Sequence, residues 1–241
     1  MQSFITHELR RTGRKHTAEI VATEIAALRS AGIDNFNIDL IVGLPAGQTA
    51  ASWSESLDHV ERLAAPHVSV YMLEVDEDSN LGAEVLSLGQ RYGARDIPSD
   101  DQIADFYETA VECLARIGIP RYEISNFARP GRESRHNTKY WTREPYLGFG
   151  ADAHSFLNEQ RIQNAELAAG YVRDPAPTRT AADPTAERFF LGLRLMRGIE
   201  GPFTPFESHG LLEIHDNRLR LTPRGVMLSN EVFSEFIEVP A

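Results

Sequence analysis

Between Thr17 and Val75 the spacing of apolar residues switches period twice, from helical to alternating and back. Thr17 is placed to N-cap a helix in which Val21, Ile25 and Leu28 share a face and Gly32 ends the run. From Asn35 to Val42 the pattern alternates: Phe36, Ile38, Leu40 and Val42 face one way, Asn37, Asp39 and Ile41 the other. GLPAGQT breaks this strand, and Trp53, Leu57, Val60 and Leu63 then mark the buried face of a second helix. After Pro66, HVSVYMLEV reads as another strand, and a long loop runs from Asp76 to Pro98. Ser99 with Gln102 three residues on forms a capping box that opens a third helix, and Arg121 to Phe127 reads as a third strand.

Strands alternating with helices predict βα units on a parallel sheet. One face of each strand is polar, at Asn37 and Asp39, at Ser69 and Tyr71, and at Glu123 and Ser125. Polar residues on one side and helices on the other suit a barrel with a ligand-lined lumen rather than an open doubly wound sheet. Three strands cannot close a barrel, and the chain opens almost directly in a helix. The expected fold is therefore α/β, an incomplete (β/α) barrel over residues 1–160, its second half. Within it, residues 128–160 form a Gly-, Arg- and aromatic-rich loop. Residues 161–184 read as a linker, with prolines near its end. Residues 185–241 form a small α+β module: a helix around Glu187 to Met196, a hairpin turning at Asp216–Asn217, and a helix capped by Thr222 with Pro223 at its first position. That order resembles a winged-helix fragment.

Composition narrows the function. With 24 Lys+Arg against 35 Asp+Glu the chain carries a net charge of −11 and no basic block, which disfavours general nucleic-acid binding. No run of about 18 apolar residues is present, and the N-terminus lacks the apolar core of a secretory signal. Cys113 is the only cysteine, so this chain cannot build a disulfide, a zinc ribbon or an iron–sulfur site from its own thiolates. Its helical pattern with Phe106, Ala110 and Ile117 favours a core residue over a reactive thiol.

Asp39 is the leading candidate for chemistry. A carboxylate inside a strand and facing a lumen requires a partner, either a bound hydroxyl or a neighbouring Arg. GLPAGQT lacks both the P-loop and GxGxxG spacings and reads as a strand-to-helix turn. The histidines show no HExxH or HxH spacing. His136 stands out because Tyr140 and Trp141 follow it, aromatics that suit a flat apolar ligand such as a porphyrin whose iron takes the imidazole; the plain alternative is a surface histidine. The glycines of GFGADAH mark a turn and permit close backbone approach to a ligand.

The strings MQSF, NIDLIVGLP, YEISNFARPG, SRHNTKYW and YLGFGADAHS occur in order from residue 1 to about residue 160. Together they resemble the latter two-thirds of the radical S-adenosylmethionine family that joins oxygen-independent coproporphyrinogen III oxidase to the heme chaperone HemW. ERFFLGLRLMRGIE and LRLTPRGVMLSNEVF are similar to that family's C-terminal domain. The resemblance implies that Gln2, Arg14 and Asp39 lie at S-adenosylmethionine. It also implies that His136, Asn137, Tyr140 and Trp141 are the HNxxYW segment, which marks the chaperone branch and is proposed to bind heme, with His136 as a possible iron ligand. The family's CxxxCxxC loop, which binds a 4Fe–4S cluster, and its glycine-rich cofactor motif are absent from this chain. Met1 falls where relatives usually have Val, as a GTG codon read as a start would produce, so an N-terminally truncated member is expected. The C-terminal module also looks shortened between GIEGPFTPF and SHGLLEI.

The resemblance implies a heme-binding chaperone in the cytoplasm, peripheral to the inner membrane, that delivers heme to hemoproteins such as membrane-associated respiratory enzymes. The alternatives are an oxidative decarboxylase of coproporphyrinogen III and, more remotely, a winged-helix regulator using Arg218, Arg220 and Arg224. Whether the chain is an enzyme stays open.

Overall fold

Alternation of apolar and polar positions produces the central strand, β1 (Asn37–Val42), whose even-numbered residues are buried. The structure, a computed structural model, describes residues 2–173, 176–201 and 209–237. Met1 and the stretch following Gly201, where the sequence looks shortened, lie outside the described residues. The chain divides into two units, Met1–Glu133 and Ser134–Ala241.

In the first unit α1 (Thr6–Arg11) and α2 (Ala18–Ser30) precede β1. After β1 come α3 (Ala50–Leu63), β2 (His67–Met72), α4 (Asn80–Leu86), a 3-10 turn at Arg91–Asp96, α5 (Asp100–Arg116), β3 (Arg121–Glu123) and β4 (Asn126–Ala128). Thr17 caps α2, and the Ser99–Gln102 box opens α5. The sheet order is β1-β2-β4-β3. β1 and β2 are parallel, with Asp39 opposite Ser69. The segment expected as one further parallel strand is instead a hairpin, with β4 antiparallel to β2. Glu123 turns the chain there, its carboxylate accepting from the Ser125 N–H at 3.1 Å and from the Asn126 amide.

The helices cover one sheet face. Trp53, Leu57 and Val60 of α3 and Phe106, Tyr107, Ala110 and Leu114 of α5 are buried, as are Leu40, Val42, Val68 and Val70 of the sheet. The Trp53 indole N–H donates to the Phe106 carbonyl at 2.7 Å, so this core aromatic leaves no polar atom unmet. GLPAGQT is a latched turn: the Gln48 side-chain oxygen accepts from Gly43 N–H at 2.8 Å, and its amide donates back to the Ile41 carbonyl.

The second unit contains α6 (Arg135–Trp141), β5 (His154–Leu157), β6 (Gln160–Gln163), α7 (Ala168–Arg173), β7 (Thr178–Ala181), α8 (Pro184–Gly192), β8 (Ile199–Glu200), β9 (Leu212–His215), β10 (Arg218–Leu221), α9 (Pro223–Met227) and α10 (Ser229–Ser234). Two three-stranded sheets form, in the orders β5-β6-β7 and β8-β10-β9. Residues 161–184, expected as a linker, supply most of β6, all of α7 and β7, and the start of α8. Polar strand positions and three prolines hide that order from composition. The Asp216–Asn217 hairpin forms as the spacing predicts, both turn residues holding positive φ (47° and 59°). Thr222 caps α9 with Pro223 in its first turn.

Candidate functional site

In the first unit, the sheet face away from α3 and α5 carries a connected polar network. The Asn37 amide donates to Asp39 Oδ1 at 2.7 Å and to Ser69 Oγ at 2.9 Å, and Ser69 donates to Asn126 at 2.7 Å. His67 is buried, with Nδ1 2.7 Å from Asn37 Oδ1 and Nε2 2.9 Å from the Tyr122 hydroxyl. Burial holds the His67 imidazole below its ordinary pKa, against the opposing pull of Asp39 and Glu133. Asp39 therefore lies on the polar face, as its alternation predicts, and its hydrogen-bond partner is an asparagine rather than the arginine considered from sequence.

Gln2 runs beside the same strand, its carbonyl accepting from Ile41 N–H at 3.0 Å. The side-chain oxygen of Gln2 is buried and meets no donor among the described residues. Arg14 is exposed beyond the end of α1 and makes no hydrogen bond or ion pair with Gln2 or Asp39 among the described residues. The structure thus brings two of the three expected S-adenosylmethionine residues to one strand. Ser69 lies on that face as its alternation predicts, whereas His67 and Asn126 belong to it and escaped the sequence reading. Their signal was the alternation His67-Ser69-Tyr71, in which the histidine takes a lumen position.

HNTKYW is helical rather than loop. Ser134 caps α6 by accepting from Asn137 N–H at 3.2 Å. The two-turn helix brings His136 and Tyr140 together at i and i+4, the hydroxyl 3.0 Å from His136 Nε2. Tyr140 packs edge-on against His136 at 5.0 Å and against Tyr146 at 4.6 Å. His136 is exposed, and Nδ1 is engaged by nothing among the described residues. Trp141 lies under the Arg194 guanidinium at 4.4 Å, and its buried indole N–H has no acceptor among the described residues.

An ion-pair cluster buttresses this helix. Arg143 and Arg161 lie over the buried Phe156 ring at 5.2 and 4.4 Å, and both donate to Glu187 at 2.8 Å. Burial of Glu187 works against ionisation, but the hydrogen bonds from Arg161 and Arg143 outweigh it and hold its carboxyl below the ordinary glutamate value. Beyond it, Gly148 sits so close to the His154 carbonyl that an added Cβ would lie 2.2 Å from it, so the close approach at this glycine is to the chain's own backbone. Among the described residues no cluster of His, Cys, Asp and Glu is arranged to hold a metal ion, and no helix is long and apolar enough to cross a membrane.

No protein-family model matches the chain. Its backbone superposes on coproporphyrinogen III oxidase (HemN) from Escherichia coli, described as a radical SAM enzyme, with a TM-score of 0.71 over 98% of this chain and 62% of that one, at 19% identity. The chain therefore shares the α/β fold of that enzyme. Among proteins of known role, the heme chaperone HemW of Lactococcus lactis is 33% identical over 262 residues, covering 98% of this chain and 67% of its own length. The HemW of Bacillus subtilis is 32% identical, with 98% and 68% covered. The chain belongs to the HemW family and spans about two thirds of the length of these relatives.

Proposed function

We propose that the chain is a heme-binding chaperone that holds heme at α6 and passes it to recipient hemoproteins. The observation that carries this reading is the intact HNTKYW segment in a HemW-family chain, presented on a capped helix with an exposed imidazole. His136 offers Nδ1 directly, or Nε2 on release of the Tyr140 hydroxyl, as a ligand to iron. Tyr140 and Trp141 supply aromatic surface, and burying a porphyrin face contributes several kcal/mol at about 25 cal/mol per Å².

Gln2 and Asp39 fit part of an S-adenosylmethionine site, since the buried Gln2 oxygen requires a donor that the described residues lack. When bound, that cofactor would supply a sulfonium and an adenosyl group to the polar sheet face. A 4Fe–4S cluster does not fit: the chain has one cysteine, on the helix α5, where the family's cluster loop needs three thiolates. No radical step is assigned to these residues. A cytoplasmic setting, peripheral association with the inner membrane and delivery to membrane-associated respiratory enzymes extend the same proposal.

Transfer is the test. The chain is loaded with heme, freed of excess, and mixed with apomyoglobin while the Soret band is followed. Movement of heme from chain to acceptor, faster from the loaded chain than from heme-bound serum albumin, is expected. Retention of heme by the chain, or transfer no faster than from albumin, would contradict a chaperone role.

A further inference from the structure

A groove of about 440 Å³ in the second unit combines apolar residues, Trp141, Leu195 and Ile199, with the guanidinium groups of Arg188, Arg197 and Arg218. Arg143 also lines it but is paired to Glu187 and Glu159. Glu200 is the single carboxylate among the described lining residues, and it is committed to Arg218. Arg218 is further fixed by the carbonyls of Arg197 (2.7 Å) and Gly198 (2.8 Å).

Among the described residues Arg188 donates to the backbone carbonyl of Glu200 and forms no ion pair. Arg197 is exposed and forms no ion pair among the described residues. Two guanidiniums without an ion pair, beside a tryptophan whose buried N–H lacks an acceptor, form a local positive site among the described residues of a chain of net charge −11. Such a lining selects a ligand with an apolar flat body and more than one carboxylate, because guanidinium groups grip carboxylates through charge-assisted hydrogen bonds.

We infer that this groove receives the carboxylate edge of the porphyrin, with Arg188 and Arg197 pairing with its two propionates and the Trp141 N–H donating to one of them. This rests on the heme reading above and adds what that reading lacks, the source of discrimination among porphyrins. Arg188 and Arg197 would be specificity residues, with α6 providing the iron ligand.

The test compares heme with its dimethyl ester, in which both propionates are masked, by Soret titration of the whole chain in one detergent buffer. The intact chain should favour heme over the ester by about tenfold, the ratio expected for losing charge-assisted pairs at an open site. Arg188→Gln together with Arg197→Gln should abolish that preference, leaving ester affinity unchanged. Arg197→Gln alone, which removes an exposed side chain without an ion pair and so leaves the fold intact, should reduce the preference about threefold. The Lys-for-Arg pair of variants should restore most of it. Saturable, His136-dependent binding with equal affinity for both porphyrins would overturn the groove and keep the heme reading, as would a preference that survives the double Gln variant. Absence of a Soret response to either porphyrin would overturn both.

Discussion

His67 in the first unit and Glu187 in the second are side chains whose ionisation the fold shifts. In β2, His67 is buried with both ring nitrogens engaged, so the neutral imidazole is the form the fold accommodates. Its folded pKa lies below the ordinary 6.5, so the unfolded chain binds its proton first. The contribution of neutral His67 to the first unit's stability is therefore complete above pH 6.5 and is lost as pH falls through the folded value. An NMR titration of His67 should give a midpoint below 6.5, and a midpoint at or above that value would contradict the buried network. Glu187 has the same sign at lower pH: its stabilisation is full above the ordinary 4.5 and declines as pH drops through the depressed folded value. Glu187→Gln leaves Arg161 over Phe156 without its carboxylate and Arg143 with Glu159 alone, and should cost about 3 kcal/mol by urea denaturation at neutral pH. A loss under about 1 kcal/mol would show that the cluster is solvated like a surface pair.

At the scale of elements, local chemistry was the most legible. The Thr17 and Thr222 caps, the Ser99–Gln102 box and the Asp216–Asn217 turn each form where their residues stand, because each depends on contacts within four residues. Asp39 could be placed on the polar face for the same reason, since alternation along one strand is also local. Strand direction was not legible: Arg121–Phe127 alternates equally well as one strand or as two, and only the Glu123 carboxylate bonding Ser125 and Asn126 bends it back on β2. α6 was hidden by its Gly- and Arg-rich flanks, and the strands within 161–184 by their polar side chains. The groove arginines were invisible because they meet through tertiary packing of α8 with β8 and β10. Close approach at Gly148 is testable: Gly148→Ala places a Cβ against the His154 carbonyl and should cost about 1–3 kcal/mol in thermal unfolding, with a neutral effect contradicting that geometry.

For the whole molecule, the two units differ in what they present. The first has a polar sheet face, and the second presents the aromatic helix and the cationic groove. Anaerobic incubation of the 241-residue chain with iron and sulfide should give no 4Fe–4S absorption, because one thiolate cannot hold the cluster. A stable cluster spectrum would require ligands outside cysteine and would reopen radical chemistry. The central claim is that α6 holds heme through His136, and it is tested most directly by Soret titration of the chain against His136→Ala and His7→Ala. His7 is exposed on α1 in the other unit, which makes it a suitable control; His59 is less so because its ring stacks on Phe4. Saturable binding of one heme, weakened or shifted in Soret position by His136→Ala and unchanged by His7→Ala, is the expected result. Identical titrations for all three chains would contradict it.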